Sequence, residues 1–174
     1  MKKAVGVSLR LAVRPSVLPS DDARRGDAQA IVRGRVASVE ARWTDDRRAI
    51  ESIVTLEVES TLKGSFGPEV QFRVPGGQIG RFRSLVVGAP EFTVDQRVVV
   101  FLGARGPSVP YVLGMSQGVF RVVAADSGGW LVTPPARLPS VAGTVPIARG
   151  DLNRRPLPIG EFEQRVRALA GGAR

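Results

Sequence analysis

The chain has 174 residues, 43% of them hydrophobic, and carries 25 Lys and Arg against 16 Asp and Glu for a net charge of +9. That length suits one ordinary domain with tails rather than two full cores. With no His and no Cys, the chain excludes Ser–His and Cys–His catalysis, imidazole and thiolate metal sites, and disulfides. A basic surface attracts nucleic acid and anionic polymers through a screened field. Of the 25 basic residues 22 are Arg, a bias that codon usage in a GC-rich genome also produces. The 13 Pro and 20 Gly fall between short apolar runs, the pattern of an all-β protein.

Met1 to Gln29 reads as a leader or a disordered N-terminal arm. Lys2 and Lys3 precede a mostly apolar Ala4 to Val13, but Arg10 interrupts that run and a charged stretch, Asp21 to Asp27, follows it. No run reaches the roughly 20 apolar residues of a membrane-spanning helix. Ala30 to Trp43 is the first predicted strand, with Val32, Gly34 and Val36 on one face and Arg33 and Arg35 on the other. The apolar parity then slips by one to Val39 and Ala41, as a β-bulge requires. Arg42 to Arg48 is a polar loop. In Ile53 to Gly64 the residues Val54, Leu56, Val58 and Leu62 alternate with Thr55, Glu57, Glu59, Thr61 and Lys63, giving one buried and one wet face. Glu69 to Val74 is a third strand, ended by Pro75-Gly76-Gly77.

Gln78 to Pro90 reads as an irregular excursion with one short strand at Ser84 to Val87. Arg97 to Leu102 is a continuous apolar run, typical of a strand covered on both sides. Tyr111 to Met115 and Val119 to Ala124 are expected to pair around Ser116-Gln117-Gly118, and Gly128-Gly129 turns the chain into Trp130-Leu131-Val132. Residues 133–158 hold six Pro and form an arm. A helix is expected over Gly160 to Ala170, with Phe162, Val166 and Leu169 as one apolar stripe docked on the rest. The domain reading is therefore 1–29, a β domain over 30–132, the arm over 133–158, and the helix with its tail over 159–174.

The strand Ile31 to Val36, the turn Leu62-Lys63-Gly64, the turn Pro75-Gly76-Gly77 and the strand Arg97 to Leu102 together resemble the OB-fold barrels of the netrin and tissue-inhibitor-of-metalloproteinase type. They resemble still more closely a set of uncharacterised bacterial exported proteins that share that barrel. The resemblance implies a mainly all-β fold: a five-stranded OB-like Greek-key barrel over about Ala30 to Val123, with an added hairpin and one C-terminal α-helix. Its core is expected to include Val32, Val36, Val54, Leu56, Val58, Phe72, Val99 and Phe101. Inhibitors of that family chelate zinc through an N-terminal Cys, and no residue here can take that role.

Two groups are candidate binding residues. Arg42, Trp43, Arg47 and Arg48 offer an aromatic platform among cations, suited to a protein partner or a nucleobase, unless Trp43 folds back on the barrel end. Arg33 and Arg35, with Arg73, Arg81 and Arg83, make a basic stripe on one side of the sheet, or ordinary surface charge opposed by Glu57, Glu59 and Glu69. Glu57 and Glu59 are paired carboxylates but sit mid-strand in strict alternation, the look of a solvated face. The glycine runs match no phosphate-binding loop. The expectation is a non-enzymatic module with no cofactor and no metal, recognising another protein through barrel loops; the resemblance implies that it is exported, with a cytoplasmic place as the alternative. Single-stranded nucleic acid is the alternative partner.

Overall fold

The computed structural model of the chain describes residues 28–104, 109–135 and 155–171. Its strands are β1 Ala30–Trp43, β2 Ile50–Lys63, β3 Glu69–Pro75, β4 Gly77–Ile79, β5 Phe82–Ser84, β6 Arg97–Gly103, β7 Tyr111–Val112, β8 Val119–Ala124, β9 Trp130–Thr133 and β10 Leu157–Pro158. One helix follows, α1 Ile159–Gly171. The fold is all-β with one C-terminal helix. The segments 1–27 and 136–154, which hold most of the expected leader and arm, lie outside the described residues.

Five strands close a ring in the order β1-β2-β3-β7-β6 and back to β1. Counted along the chain they run first, second, third, fifth, fourth, the non-sequential order of an OB-like Greek key. All pairings in the ring are antiparallel except β3 with β7, which is parallel and made through Arg73 and Tyr111. β8 pairs with Arg97 to Val100 on the same edge of β6 whose far end takes β7, and β9 and β10 extend that sheet further.

Bulges bend the two long strands. Pairing slips between Val36 and Ser38 of β1, where the apolar parity of the sequence changes. It slips twice more opposite Arg33–Gly34 and Ile31–Val32, where Glu59 and Leu62 of β2 are the extra residues. Each extra residue sharpens the local twist, which curls a flat hairpin toward a ring.

Two apolar clusters result. The first fills the ring with Val32, Val36, Val54, Leu56, Phe72, Val98, Val100 and Leu102, and Val58 packs against it half-buried. The second lies outside the ring and joins Ile31, Leu62, Val99, Phe101, Phe120, Val122 and Val132 to Phe162 and Val166 of α1. Val99 and Phe101 are thus buried as expected, but on the outer face of β6. This is why Arg97–Leu102 is apolar without alternation: one face lines the ring and the other lies under the helix. Leu62 belongs with them rather than with Val54 and Leu56, because the bulge at Glu59 turns β2 over.

Three local readings are corrected. The short strand expected at Ser84 to Val87 is instead β5, Phe82–Ser84, paired with β4 across the Gly80 turn. Tyr111 to Met115 and Val119 to Ala124 do not pair with one another. β7 takes Leu102 and Gly103 of β6, β8 takes Arg97 to Val100, and a 3-10 turn over Met115–Gly118 carries the chain between them. In α1, Phe162 and Val166 are buried but Leu169 remains 44% exposed. The helix lies along the side of the sheet and its last turn runs past the covered area.

Candidate functional site

The β1–β2 hairpin ends in a loop built on Thr44. The Thr44 N–H donates to the Ala49 carbonyl at 2.9 Å, and the Arg47 N–H to the Thr44 carbonyl at 2.7 Å. Arg47 takes a positive φ of 54°, which reverses the chain. The Thr44 hydroxyl donates to Asp46 Oδ1 at 2.7 Å and the Arg48 N–H to the same oxygen at 3.1 Å. These bonds, the hydroxyl first, hold the Asp46 carboxyl below the usual carboxylate range. Sequence therefore fixes the loop through a Thr-x-Asp turn, and Trp43 stands at its base.

The β4–β5 hairpin lies on this arm. Gly77 lets it: a Cβ there would sit 2.8 Å from Ser52 Oγ and 3.2 Å from Ala41 Cβ. The Ser52 hydroxyl donates to the Gly76 carbonyl at 2.9 Å and pins the turn. Phe82 consequently meets Trp43 edge to face, with ring centroids 5.7 Å apart and planes at 65°. Arg81 sets its guanidinium carbon 5.3 Å from the centre of the Phe82 ring. Both rings stay open to solvent, Trp43 at 39% and Phe82 at 51%, with Leu85 and Val87 also exposed on the following loop. Trp43 leans on a neighbouring hairpin and keeps a free surface. Phe82 carries no signal in the sequence, since a three-residue strand among Gly and Arg has no readable period, and Arg81, expected in the basic stripe with Arg33 and Arg35, stands here beside the Phe82 ring instead.

The remaining candidate residues sit elsewhere or are engaged. Arg42 pairs with Glu51 across the hairpin at 2.9 Å, and Arg48 lies 3.9 Å from Asp46. Arg33 and Arg35 are about ten residues up β1 from Trp43, on the order of 30 Å along the strand. Arg35 bonds Glu57 and Asp95, both at 2.7 Å, and the Glu57 carboxylate is the main cause that raises its pKa further. Arg33 faces Glu163 of α1 at 3.1 Å and Glu59 at 3.8 Å, and Glu59 also accepts from Arg97 at 2.9 Å. The paired carboxylates Glu57 and Glu59 are thereby each held by guanidinium groups. Arg97 also stacks on Trp130, 4.5 Å from the ring centre.

The described residues carry 14 Arg and Lys against 12 Asp and Glu, a net of +2, so seven of the nine excess positive charges lie outside them. Among the described residues no group of three or more His, Cys, Asp or Glu is placed to hold a metal, and no helix is long and apolar enough to cross a membrane. No family model, curated protein or solved structure matches the chain. The site is therefore read on its own chemistry. Two aromatic rings, a guanidinium and flanking aliphatic side chains can desolvate a partner surface and orient it, and they contain no nucleophile or general base.

Proposed function

We propose that the protein is a non-enzymatic binding module that acts outside the cytoplasm and recognises another protein through the surface of Trp43, Phe82 and Arg81. The observation that carries this reading is the exposed edge-to-face pair of Trp43 and Phe82 with Arg81 against it. Trp and Arg dominate the residues that hold protein interfaces together, because each combines a large apolar area with a directional polar group. Export is supported by the resemblance of the strand and turn pattern to exported barrels.

Single-stranded nucleic acid is the second reading, favoured by an aromatic platform beside a cation and by the net charge of +9. The neutralised outer face weighs against it. Arg33, Arg35, Arg42 and Arg97 are each matched by a carboxylate, so phosphates would have to displace existing partners.

Affinity capture from the native extracytoplasmic fraction, run in parallel with Trp43→Ala and Phe82→Ala, tests the proposal. One protein retained by the native chain and lost with both variants is the expected result. Tight binding of single-stranded DNA that falls steeply with salt and weakens in Trp43→Ala would instead favour nucleic acid.

A further inference from the structure

β6 covers β1 only from Ala30 to Arg35. Val36 is still held on that side, its N–H donating to the Gln96 carbonyl at 2.9 Å and its carbonyl accepting from the Asp95 N–H at 2.8 Å. From Ala37 to Trp43 no described strand runs along that edge. The hydrogen bonding at the hairpin tip settles which groups it presents. Thr44 and Ala49 form a bonded rung through Thr44 N–H. Antiparallel rungs alternate, so the backbone of Arg42 and Glu40 turns toward β2 and that of Trp43, Ala41 and Val39 turns outward. Ile50, opposite Trp43, agrees, since its carbonyl points away from β1 to accept from the Gly76 N–H at 3.0 Å. Three residues thus offer their N–H and C=O groups to the open side. Val39 and Trp43, both partly exposed, share one face of this edge, and Glu40 and Arg42 share the other.

We propose that this edge is a homodimer interface, in which residues 37–43 of two copies pair antiparallel about Ala41. Pairing about that residue makes three bonded rungs, 39 with 43, 41 with 41 and 43 with 39, and satisfies all six outward groups. It sets Val39 beside the partner's Trp43 on one face. On the other it sets Glu40 opposite the partner's Arg42, twice, by the twofold symmetry. Of the outward residues only Ala41, as the centre, matches these opposite charges, and it also places the smallest side chain on the axis. Arg42 keeps its bond to Glu51 through Nε and Nη2, so Nη1 is left to reach the partner's Glu40. An edge with exposed apolar side chains and no protecting Pro or Lys invites such pairing. The two Trp43–Phe82 surfaces would then lie on one continuous sheet. This inference goes beyond the binding-module reading and stands or falls separately from it.

Sedimentation or light scattering of the full chain from about 1 to 100 µM reads the equilibrium. The expected result is a mass rising from 18.6 kDa to twice that value. Glu40→Arg sets a cation opposite the partner's Arg42 at both symmetry-related positions and should raise the dimer Kd at least about tenfold. Ala41→Pro removes an outward N–H without touching the β1–β2 ladder, which edge strands tolerate, and should leave a monomer with unchanged circular dichroism. If Ala41→Pro fails to fold, Glu40→Arg alone decides. A chain that stays monomeric throughout overturns the proposal, as does a dimer whose Kd neither variant moves. A monomer that binds a foreign extended peptide, and loses it in Ala41→Pro, overturns self-pairing in favour of a strand from another protein.

Discussion

At Gly34 the two longest strands approach so closely that a Cβ would collide with the Glu57 carbonyl oxygen and lie 2.8 Å from Leu56 Cγ. The residue faces the ring beside Val32 and Val36, and its missing side chain is what lets β2 fold over next to the bulge at Glu59. Because the obstructing atoms are backbone and a packed Leu, they cannot swing away. Gly34→Ala should cost about 3 kcal/mol, the upper range for overpacking. A thermal melt should show Tm lowered by roughly 10 °C. A Tm within a degree or two of the native protein would mean the strands separate there at little cost. On the opposite face of the strand the adjacent Arg33 is an ion-pair partner of Glu163 in α1. Removing one member of such a half-buried pair strands the other charge.

Helix α1 is held by two buried side chains, Phe162 and Val166, and by the Arg33–Glu163 contact. Phe162 packs on Phe120, which in turn packs on Phe101, with ring centroids 5.1 and 5.5 Å apart. A helix this short is marginal alone and depends on that packing. Phe162→Ala should therefore destabilise by about 3 kcal/mol, whereas Leu169→Ala should stay within about 0.5 kcal/mol. Chemical denaturation of both variants checks the contrast, and equal effects would sink it. The docked helix was legible in the sequence through its stripe, but the idle last turn was not, because a stripe says nothing about where the surface beneath it ends. The bulge in β1 was legible because it moved the apolar residues from Val36 to Val39 and changed their parity. The bulge at Glu59 was hidden: Leu62 keeps the even spacing, yet the face it lands on is also buried. Of the candidate surface, Trp43 could be named from its loop, while Phe82 and Arg81 arrive there only through the fold of a hairpin without a period.

The ring as a whole closes unevenly. β1 and β2 share a ladder from Ile31–Lys63 to Trp43–Ile50, and β1 and β6 pair over six residues. Between β3 and β7 the closure rests on the Arg73–Tyr111 bridge and the bond from the Arg73 N–H to the Pro110 carbonyl at 2.8 Å. Opening should start at this seam, since local unfolding follows the fewest cooperative contacts. Amide hydrogen exchange should find Arg73 and Val112 exchanging well before Val54 and Val99, and equal protection would mean the ring opens only as a unit. The Phe101–Phe120–Phe162 stack has a further consequence for the order in which the chain is made. Phe101 leaves the ribosome 61 residues ahead of Phe162. At about 5–20 residues per second, that is roughly 3 to 12 s during which the outer face of β6 has been synthesised and its cover has not. The nascent chain thus carries an uncovered apolar surface from the moment β6 is made until the helix that hides it has emerged.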